Sequence, residues 1–441
     1  MLKDSTLTLL TQGFIFVLSL LISVVISRVL GPSLKGAYSI FVLTLRLASM
    51  LVIFGLGAAV VYLGAQDSTR LPRLAGNGLA AAVGTGLLGI VLVEAVISTP
   101  FFRDYLQENS LNIHLLQAGI LILPFLQVQA YLVEILRAGG DIMRYNLARL
   151  ARVALTLIGV IIWVWAWPSG VTGAVVAWVG AVLISALLTV WWALQLCHFQ
   201  LAWDQALFRQ MLRFGLKLYP GNIMQFLNYR LDVFIVGFLL GPLEVGLYVT
   251  ATALAERLWD IPHALRTVLL QRVAASDEEN TANQLTAQTV RITLTLVSFI
   301  ALLLALIAFP LIQILYGQAF LPSVSLLIIL LPGIVLLSVG KLLATHLSGR
   351  GHPEVGTYAA AVALIATVTL DFLLIPQYGL TGAAIASTIS YTVSALMIFS
   401  IFLYHSKMSA AEVLLIHRRD ISLIVQRLKV FLYRKGSNHA S

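Results

Sequence analysis

Charged residues are scarce in this chain, which contains 11% Asp, Glu, Lys and Arg against 59% hydrophobic residues. Soluble domains carry about 25% charged residues, because a surface that faces water must be polar. A chain of 441 residues with a mean hydropathy of +0.94 could not cover such a surface. The composition therefore excludes a soluble globular protein and predicts that most of the surface faces lipid.

Cysteine and the common catalytic motifs are also missing. Cys197 is the single cysteine, so no disulfide can form within the chain. The sequence has no Walker A loop, H-E-x-x-H, C-x-x-C or G-x-S-x-G pattern. Its G-x-G-x-x-G match, GTGLLG at 84–89, lies in an apolar run with no preceding strand and predicts no dinucleotide site. We expect no enzyme activity, no metal site and no organic cofactor.

Long apolar runs occupy most of the chain. A bilayer crossing needs about 20 such residues in a helix. We predict twelve transmembrane helices, numbered here as spans 1 to 12. Their ranges are 7–30, 37–64, 74–99, 114–137, 146–167, 171–196, 218–240, 246–270, 289–316, 323–346, 356–375 and 381–404.

Two motifs each occur twice, about half a chain length apart. LGPSLKGAY at 30–38 returns as LGPLEVGLY at 240–248, and GVTGAVVA at 170–177 returns as GLTGAAIA at 379–386. Repeated landmarks in the same order indicate two copies of one unit. Six spans per copy is an even number, so both copies start on the same side of the membrane. The predicted fold is an all-α polytopic membrane protein with two parallel six-helix repeats around a central cavity.

The predicted domains are an N-terminal bundle (1–205), a C-terminal bundle (206–405) and a tail (406–441), with a cytoplasmic linker at 197–217. The tail mixes apolar and basic residues and predicts an amphipathic helix on the cytoplasmic membrane surface. Most of the 28 Lys and Arg lie in segments on the side of the N-terminus. This bias predicts that both termini are cytoplasmic, and it explains the basic charge without nucleic acid.

Ionisable and amide side chains inside the spans are the candidate functional residues. A charge at the bilayer centre costs roughly 2.5–3.5 kcal/mol, so it needs a protein partner or a watery cavity. Span 2 contains Arg46. In span 7, Gln225, Asn228 and Asp232 are spaced i, i+3, i+7 and share one helical face. Arg230 points about 160° away from Asp232, which predicts that these two residues do not pair.

Span 8 contains a second polar stripe. Glu256, Asp260 and His263 are spaced i, i+4, i+7 on a regular helix. Pro262 interrupts this helix and would free backbone groups near the stripe.

Two interpretations of these charges remain open. Arg46 and Glu256 occupy equivalent positions in the two repeats, which suits a salt bridge between the halves. The arginines could instead form a cationic cavity, because guanidinium groups bind phosphate through paired hydrogen bonds. The substrate-binding candidates are then Arg46, Arg230, Arg257, Gln225 and Asn228. The candidates for coupling to H⁺ or Na⁺ are Asp232, Glu256 and Asp260.

Four segments carry a resemblance to a known family. They are SRVLGPSLKGAYSI at 27–40, FGLGAAVVYLGA at 54–65, NYRLDVFIVGFLLGPLEVGLY at 228–248 and LWDIPHALRTVLLQRVAAS at 258–276. In order and spacing they resemble the polysaccharide transporter family of Wzx-like oligosaccharide flippases. That family belongs to a superfamily that also includes multidrug and toxin extruders and lipid II flippases.

The resemblance implies that helices 1, 2, 7 and 8 line the central cavity. It implies a flippase that moves undecaprenyl-pyrophosphate-linked oligosaccharide to the outer leaflet of a bacterial plasma membrane by alternating access. The expected partners are this lipid-linked cargo, membrane lipids, a polysaccharide polymerase and glycosyltransferases. Two alternatives stay open, namely a cation-coupled multidrug antiporter and a non-transporting scaffold of a polysaccharide synthesis complex.

Overall fold

The computed structural model describes residues 2–100, 102, 113–198, 201–276 and 278–415. These ranges contain helices and connecting turns but no strand. The α-helices are α1 (Leu2–Val52), α2 (Leu56–Gln66), α3 (Leu71–Ile97), α4 (Ile113–Ile120), α5 (Leu123–Ala138), α6 (Ile142–Val160), α7 (Gly170–Leu196), α8 (Gln205–Leu239), α9 (Pro242–Ala255), α10 (Asp260–Ala274), α11 (Glu279–Leu315), α12 (Ser323–Gly349), α13 (Glu354–Tyr378), α14 (Leu380–Ser406) and α15 (Ala410–Leu414). A π-helical stretch (Ile161–Ala166) extends α6, and 3₁₀ turns occupy Ser68–Arg70, Glu256–Trp259 and Gln318–Phe320.

The prediction of an all-α polytopic membrane protein is confirmed. Within the described ranges, nine helical segments are long and apolar enough to cross a membrane. The GTGLLG segment lies inside α3, as expected for a helix rather than a nucleotide-binding loop. The arrangement as twelve helices in two parallel repeats stays a prediction.

Contacts between Cα atoms divide the chain into two units. Unit 1 comprises Met1–Thr250 and Leu311–Ser323, and unit 2 comprises Ala251–Pro310 and Val324–Ser441. The predicted bundle boundary near residue 206 stays a prediction. Most of the predicted tail, from residue 416 onward, lies outside the described residues. Its first part forms α15, where Val413 is fully buried in the apolar core of unit 2.

The first two predicted spans are joined by a bend within one long helix. α1 runs from Leu2 to Val52 and bends at Gly31, whose φ of 70° and ψ of 179° are not helical. Glycine adopts this backbone freely, and Pro32 then begins the next helical segment, where its missing N–H costs little. Span 2, predicted as continuous over 37–64, breaks at Phe54 and Gly55, which have φ values of 47° and 66°.

Side chains from neighbouring helices satisfy the backbone carbonyls beside this break. The Tyr131 hydroxyl donates to the Ile53 carbonyl at 3.0 Å, and the Gln127 amide donates to the Ser49 carbonyl at 2.8 Å. The Tyr219 hydroxyl donates to the Leu51 carbonyl. Because lipid offers no hydrogen bonds, a broken helix needs such partners within the protein.

Residues 205–217, predicted as part of a linker, are helical instead. They form the first turns of α8, which begins after Asp204. The Asp204 side chain accepts a hydrogen bond from the Leu207 N–H at 3.0 Å and caps the helix. This bond holds the pKa of the Asp204 carboxyl below its usual value. The cap explains why the helix starts well before the apolar run.

The two copies of the L-G-P repeat pack against each other inside unit 1. A Cβ atom added at Gly36 would overlap the Pro242 carbonyl, and one added at Gly246 would overlap the Pro32 carbonyl. The contact is reciprocal, because each glycine faces the proline of the other copy. The shared glycine is therefore required by close backbone approach.

We expect Gly36→Ala to destabilise the protein by about 1–3 kcal/mol, since the new methyl group would push two backbones apart. A lower thermal melting temperature of the purified protein in detergent would report this loss. Gly180→Ala is the matched control, because that helical glycine has open space around its Cβ position. Equal melting temperatures for the two variants would contradict the repeat contact.

Candidate functional site

A cavity of about 440 Å³ lies within unit 1, between α1, α5, α6, α7 and α8. Its charged lining consists of three arginines, Arg46, Arg149 and Arg152, and one carboxylate, Glu134. Gln129, Tyr145, Trp178 and Phe226 provide polar and aromatic walls. The volume is in the range of small-molecule sites, and the charge balance favours an anion.

Arg46 enters the cavity from α1, two turns before the break at Phe54. It is exposed, and among the described residues it forms no ion pair or hydrogen bond. Its electrostatic neighbours are the Tyr38 hydroxyl, which attracts it, and the Arg230 guanidinium, which repels it more weakly. An arginine without a carboxylate partner is costly in a membrane protein unless it faces water or a ligand. The predicted cavity position of Arg46 is thus compatible with its surroundings.

Arg152 is oriented by a chain of buried polar groups. Its Nη1 donates to the Gln129 Oε1 at 3.1 Å, and the Gln129 Nε2 donates to the Ser185 Oγ at 2.8 Å. Gln129 is 5% exposed and Ser185 is fully buried. The chain holds one edge of the guanidinium, which is itself exposed to the cavity. Hydrogen bonds of this kind hold a guanidinium in one orientation before a ligand binds.

Arg149 and Glu134 complete the charged lining. The Arg149 Cζ lies 5.4 Å from the centre of the Tyr145 ring, within the range of a cation–π contact. The Glu134 Oε2 lies 3.4 Å from the Arg137 Nη1 on the same helix. The cavity carboxylate is therefore already paired with an arginine that does not line the cavity.

Four of the predicted site residues lie on α8 in unit 1. Asn228 and Asp232 are buried, Arg230 is half-buried and Gln225 is exposed. Asp232 accepts hydrogen bonds from the Tyr248 hydroxyl at 2.7 Å and from the Val233 N–H at 2.8 Å. Tyr248, the tyrosine of the second L-G-P copy, is fully buried.

The other three predicted residues lie in unit 2, where the chain departs from a regular α-helix. A 3₁₀ turn covers Glu256–Trp259, and Pro262 follows in the first turn of α10. Side chains three residues apart eclipse each other in a 3₁₀ helix. Arg257 and Asp260 therefore share a side and are exposed, whereas Glu256 is half-buried. The predicted stripe of Glu256, Asp260 and His263 assumes a regular helix, which the 3₁₀ turn interrupts.

Arg149 and Arg152 were not predicted from the sequence as site residues. Both lie near the start of span 5, where basic residues are normally taken to sit at the membrane interface. Their spacing with Tyr145 was a usable signal, because Tyr145, Arg149 and Arg152 follow i, i+4, i+7 on one helical face. Within the described part of the chain, no group of three or more His, Cys, Asp or Glu residues could hold a metal ion.

Comparison with known proteins identifies the family. The sequence pattern of the polysaccharide biosynthesis protein family matches residues 25–325. Because this match covers more than half of the chain, the protein belongs to that family. A curated relative, the probable low-salt glycan biosynthesis flippase Agl15 of Haloferax volcanii, is 24% identical over 170 residues. This alignment covers 38% of the chain and 36% of the relative, so the chain matches about a third of that protein's length.

Solved structures share the fold over most of the chain. An inward-facing multidrug resistance MATE family transporter of the MOP superfamily has a TM-score of 0.73 at 14% identity, covering 91% of this chain and 98% of its own. The lipid II flippase MurJ in an inward closed conformation has a TM-score of 0.69 at 16% identity, covering 97% of both chains. A MOP superfamily transporter from Pyrococcus furiosus, whose binding pocket is described as reversed in polarity, has a TM-score of 0.63 at 17% identity, covering 93% of this chain and 95% of its own. At these identities the likeness shows the fold alone.

The Asp232–Tyr248 bond yields a stability prediction. Tyr248→Phe would remove a hydrogen bond from a buried carboxylate, which typically costs about 1–3 kcal/mol. We expect a lower melting temperature of the purified protein. Tyr358→Phe is the control, since Tyr358 is 59% exposed. A Tyr248→Phe protein as stable as the control would show that the bond contributes nothing.

Proposed function

We propose that this protein is a flippase that moves a lipid-linked oligosaccharide across the membrane for polysaccharide biosynthesis. The observation that carries the proposal is the unit 1 cavity, where the described lining residues include three arginines and a single carboxylate. Membership of the polysaccharide biosynthesis protein family supports the same conclusion. The specific cargo we infer is an undecaprenyl-pyrophosphate-linked repeat unit, moved to the outer leaflet of a bacterial plasma membrane by alternating access.

The chemistry of this cargo matches the cavity. A lipid diphosphate is a permanent anion at neutral pH, and guanidinium groups bind phosphate oxygens through charge-assisted hydrogen bonds. A sugar chain needs a polar, watery space, whereas the prenyl tail is stable only in lipid. A protein that shields the diphosphate and sugars while the tail stays in the bilayer lowers the free-energy cost of moving these polar groups across the membrane.

The site residues predicted from the sequence are part of this proposal. Arg46, Arg230, Arg257, Gln225 and Asn228 would contact the cargo. Coupling to H⁺ or Na⁺ would involve Asp232, Glu256 and Asp260. The proposal keeps both termini in the cytoplasm, where a glycosyltransferase supplies the cargo, and a polymerase would use it on the other side.

A cation-coupled multidrug antiporter is the main alternative. A site for organic cations needs carboxylates that are free to face the ligand. Among the described residues, Glu134 is the only carboxylate that lines the unit 1 cavity, and it is paired with Arg137. This charge balance favours an anionic cargo. A non-transporting scaffold would not need a charged cavity within the membrane.

Deletion of the gene tests the proposed function. We expect lipid-linked oligosaccharide to accumulate in the cell and surface polysaccharide to disappear, with both restored by the wild-type gene. Unchanged polysaccharide together with altered resistance to cationic drugs would support the antiporter instead.

Complementation tests the role of the cavity charge. We expect Arg46→Ala to restore less than about a tenth of the polysaccharide, since a charge-assisted hydrogen bond contributes about 1.5–3 kcal/mol. The control is Arg144→Ala, because Arg144 does not line the cavity and pairs with Asp141 at 3.5 Å. Full complementation by Arg46→Ala at normal expression would show that Arg46 is not needed to bind the cargo. Failure of Arg144→Ala as well would point to misfolding rather than to lost cargo binding.

A further inference from the structure

We propose that a polar cavity at one end of unit 2 binds a phosphate group that carries a proton, such as inorganic hydrogen phosphate. The cavity has a volume of about 300 Å³ and lies where α12 and α14 end and α11 begins. The proposed topology places this end of the helices in the cytoplasm. The described lining residues, none of which lines the unit 1 cavity, are Glu279, Asn283, His346, Leu347, Arg350, His352, His405 and Ser406.

Asn283 provides a buried amide to this cavity. It lies near the start of α11, is 3% exposed and belongs to the cavity lining. Within the described part of the chain, its side chain has no hydrogen-bond partner. A buried amide is costly unless water or a ligand completes its hydrogen bonds. The two amide N–H donors of Asn283 are therefore available to an acceptor inside the cavity.

Arg350 places a positive charge at the same cavity. Its Nη1 donates to the Ser276 carbonyl at 3.0 Å and its Nη2 donates to the Glu278 carbonyl at 3.2 Å, so the guanidinium is held in one orientation. Its Nε is buried and has no hydrogen-bond partner among the described residues. Since a guanidinium has five N–H donors, the two carbonyls leave donors for an anion.

His346 contributes an acceptor. Thr286 donates its single hydroxyl proton to the Ala282 carbonyl at 2.9 Å. The Thr286 Oγ1 therefore accepts from the His346 Nδ1, which is 2.7 Å away, and this assigns the ring proton to Nδ1. In the neutral ring, Nε2 then carries a lone pair. Because His346 is 3% exposed and lines the cavity, a donor inside the cavity is needed to pair with Nε2.

The donors and the acceptor together select the chemistry of the ligand. Asn283 and Arg350 supply N–H groups for anionic oxygens, whereas the Nε2 of His346 needs an O–H group. Hydrogen phosphate has both kinds of oxygen at neutral pH, whereas sulfate has no proton to donate. A site with a buried acceptor discriminates against a ligand that leaves this acceptor unpaired. We expect phosphate to bind more tightly than sulfate.

The described lining includes one carboxylate, that of Glu279. This residue lies in the first turn of α11 and is exposed. Among the described residues, no ion pair joins Glu279 to Arg350. Water and salt screen an exposed charge, so Glu279 would repel an arriving anion only weakly. Removal of this charge should strengthen phosphate binding.

Titration of the purified full-length protein with inorganic phosphate tests the site. Calorimetry in detergent at about pH 7.5, where imidazole groups are mainly neutral, should show saturable phosphate binding. Sulfate at the same ionic strength should bind about tenfold more weakly or not at all. Asn283→Leu should weaken phosphate binding about tenfold, because it removes the amide donors. Asn280→Leu is the matched control, since Asn280 is exposed on the same helix and does not line the cavity.

Variants of the other lining residues separate selectivity from affinity. His346→Leu should weaken phosphate binding but not sulfate binding, so that the preference for phosphate disappears. Arg350→Lys keeps the charge and loses the planar fork, so both anions should bind more weakly. Glu279→Gln should strengthen the binding of both anions. A residue that only supports folding would lower the melting temperature without changing the ratio of the two affinities.

Hydrogen exchange identifies which cavity holds the phosphate, because the arginines of the unit 1 cavity also attract anions. Phosphate should slow amide hydrogen exchange in peptides that cover 279–290 and 343–352. Arg46→Ala, which changes the unit 1 cavity, should leave this protection unchanged, and Asn283→Leu should abolish it. Protection confined to peptides of unit 1 would contradict the proposal.

Nanodiscs with and without phosphatidic acid distinguish two sources of the phosphate group. If this lipid competes with inorganic phosphate and Asn283→Leu abolishes the competition, the site binds a lipid headgroup. If the lipid does not compete, the site binds free phosphate.

The site is wrong if the wild type shows no saturable phosphate binding, which would mean that the cavity holds only water. Equal phosphate binding by Asn283→Leu and Asn280→Leu, or equal affinities of the wild type for phosphate and sulfate, would also overturn it. The inference does not depend on the proposed function. Failure of this site leaves the flippase proposal standing, and unchanged polysaccharide after gene deletion would overturn the flippase without affecting this site.

Discussion

The constraint that shapes this protein is the absence of water around most of its surface. Every polar group inside the membrane-spanning segments needs a partner within the protein. Lys35 shows how a buried charge meets this need, because its Nζ donates to the Ser27 and Thr250 hydroxyls at 2.7 Å and lies 4.7 Å from the centre of the Tyr316 ring. The arginines of the unit 1 cavity differ from Lys35, because Arg46 and Arg152 line the cavity and are exposed. We attribute this difference to function.

Much of the fold could be predicted because the signals are local. Apolar runs of sufficient length identify membrane-spanning helices regardless of their neighbours. The first copy of the repeated L-G-P motif coincides with the bend of α1 at Gly31. The break of span 2 at Phe54 and Gly55 could not be predicted, because it depends on partners from distant helices, namely Tyr131, Gln127 and Tyr219. The start of α8 at Gln205 was not predicted, because the residues around the Asp204 cap are polar and were interpreted as a linker.

The candidate site was predictable only in part. Arg46 was identified because a charge in the middle of an apolar run is rare and costly. Arg149 and Arg152 escaped notice because their place at the start of a span suits an ordinary interfacial position equally well. Their place in the cavity lining emerges only from the packing of α6 against α1 and α5, which brings Gln129 to Arg152. Asp232, in contrast, was selected from the sequence as a candidate for ion coupling. In the structure it also accepts a hydrogen bond from the buried Tyr248.

Transport by the purified protein tests the central claim most directly. Proteoliposomes would contain a lipid-diphosphate-linked oligosaccharide in both leaflets, and a membrane-impermeant glycosidase outside would report the accessible fraction. We predict that nearly all of the sugar becomes accessible in vesicles with the wild-type protein, whereas about half stays protected in vesicles without protein. If half of the sugar stays protected from the glycosidase while the same vesicles exchange an organic cation, the protein is not a flippase for this cargo.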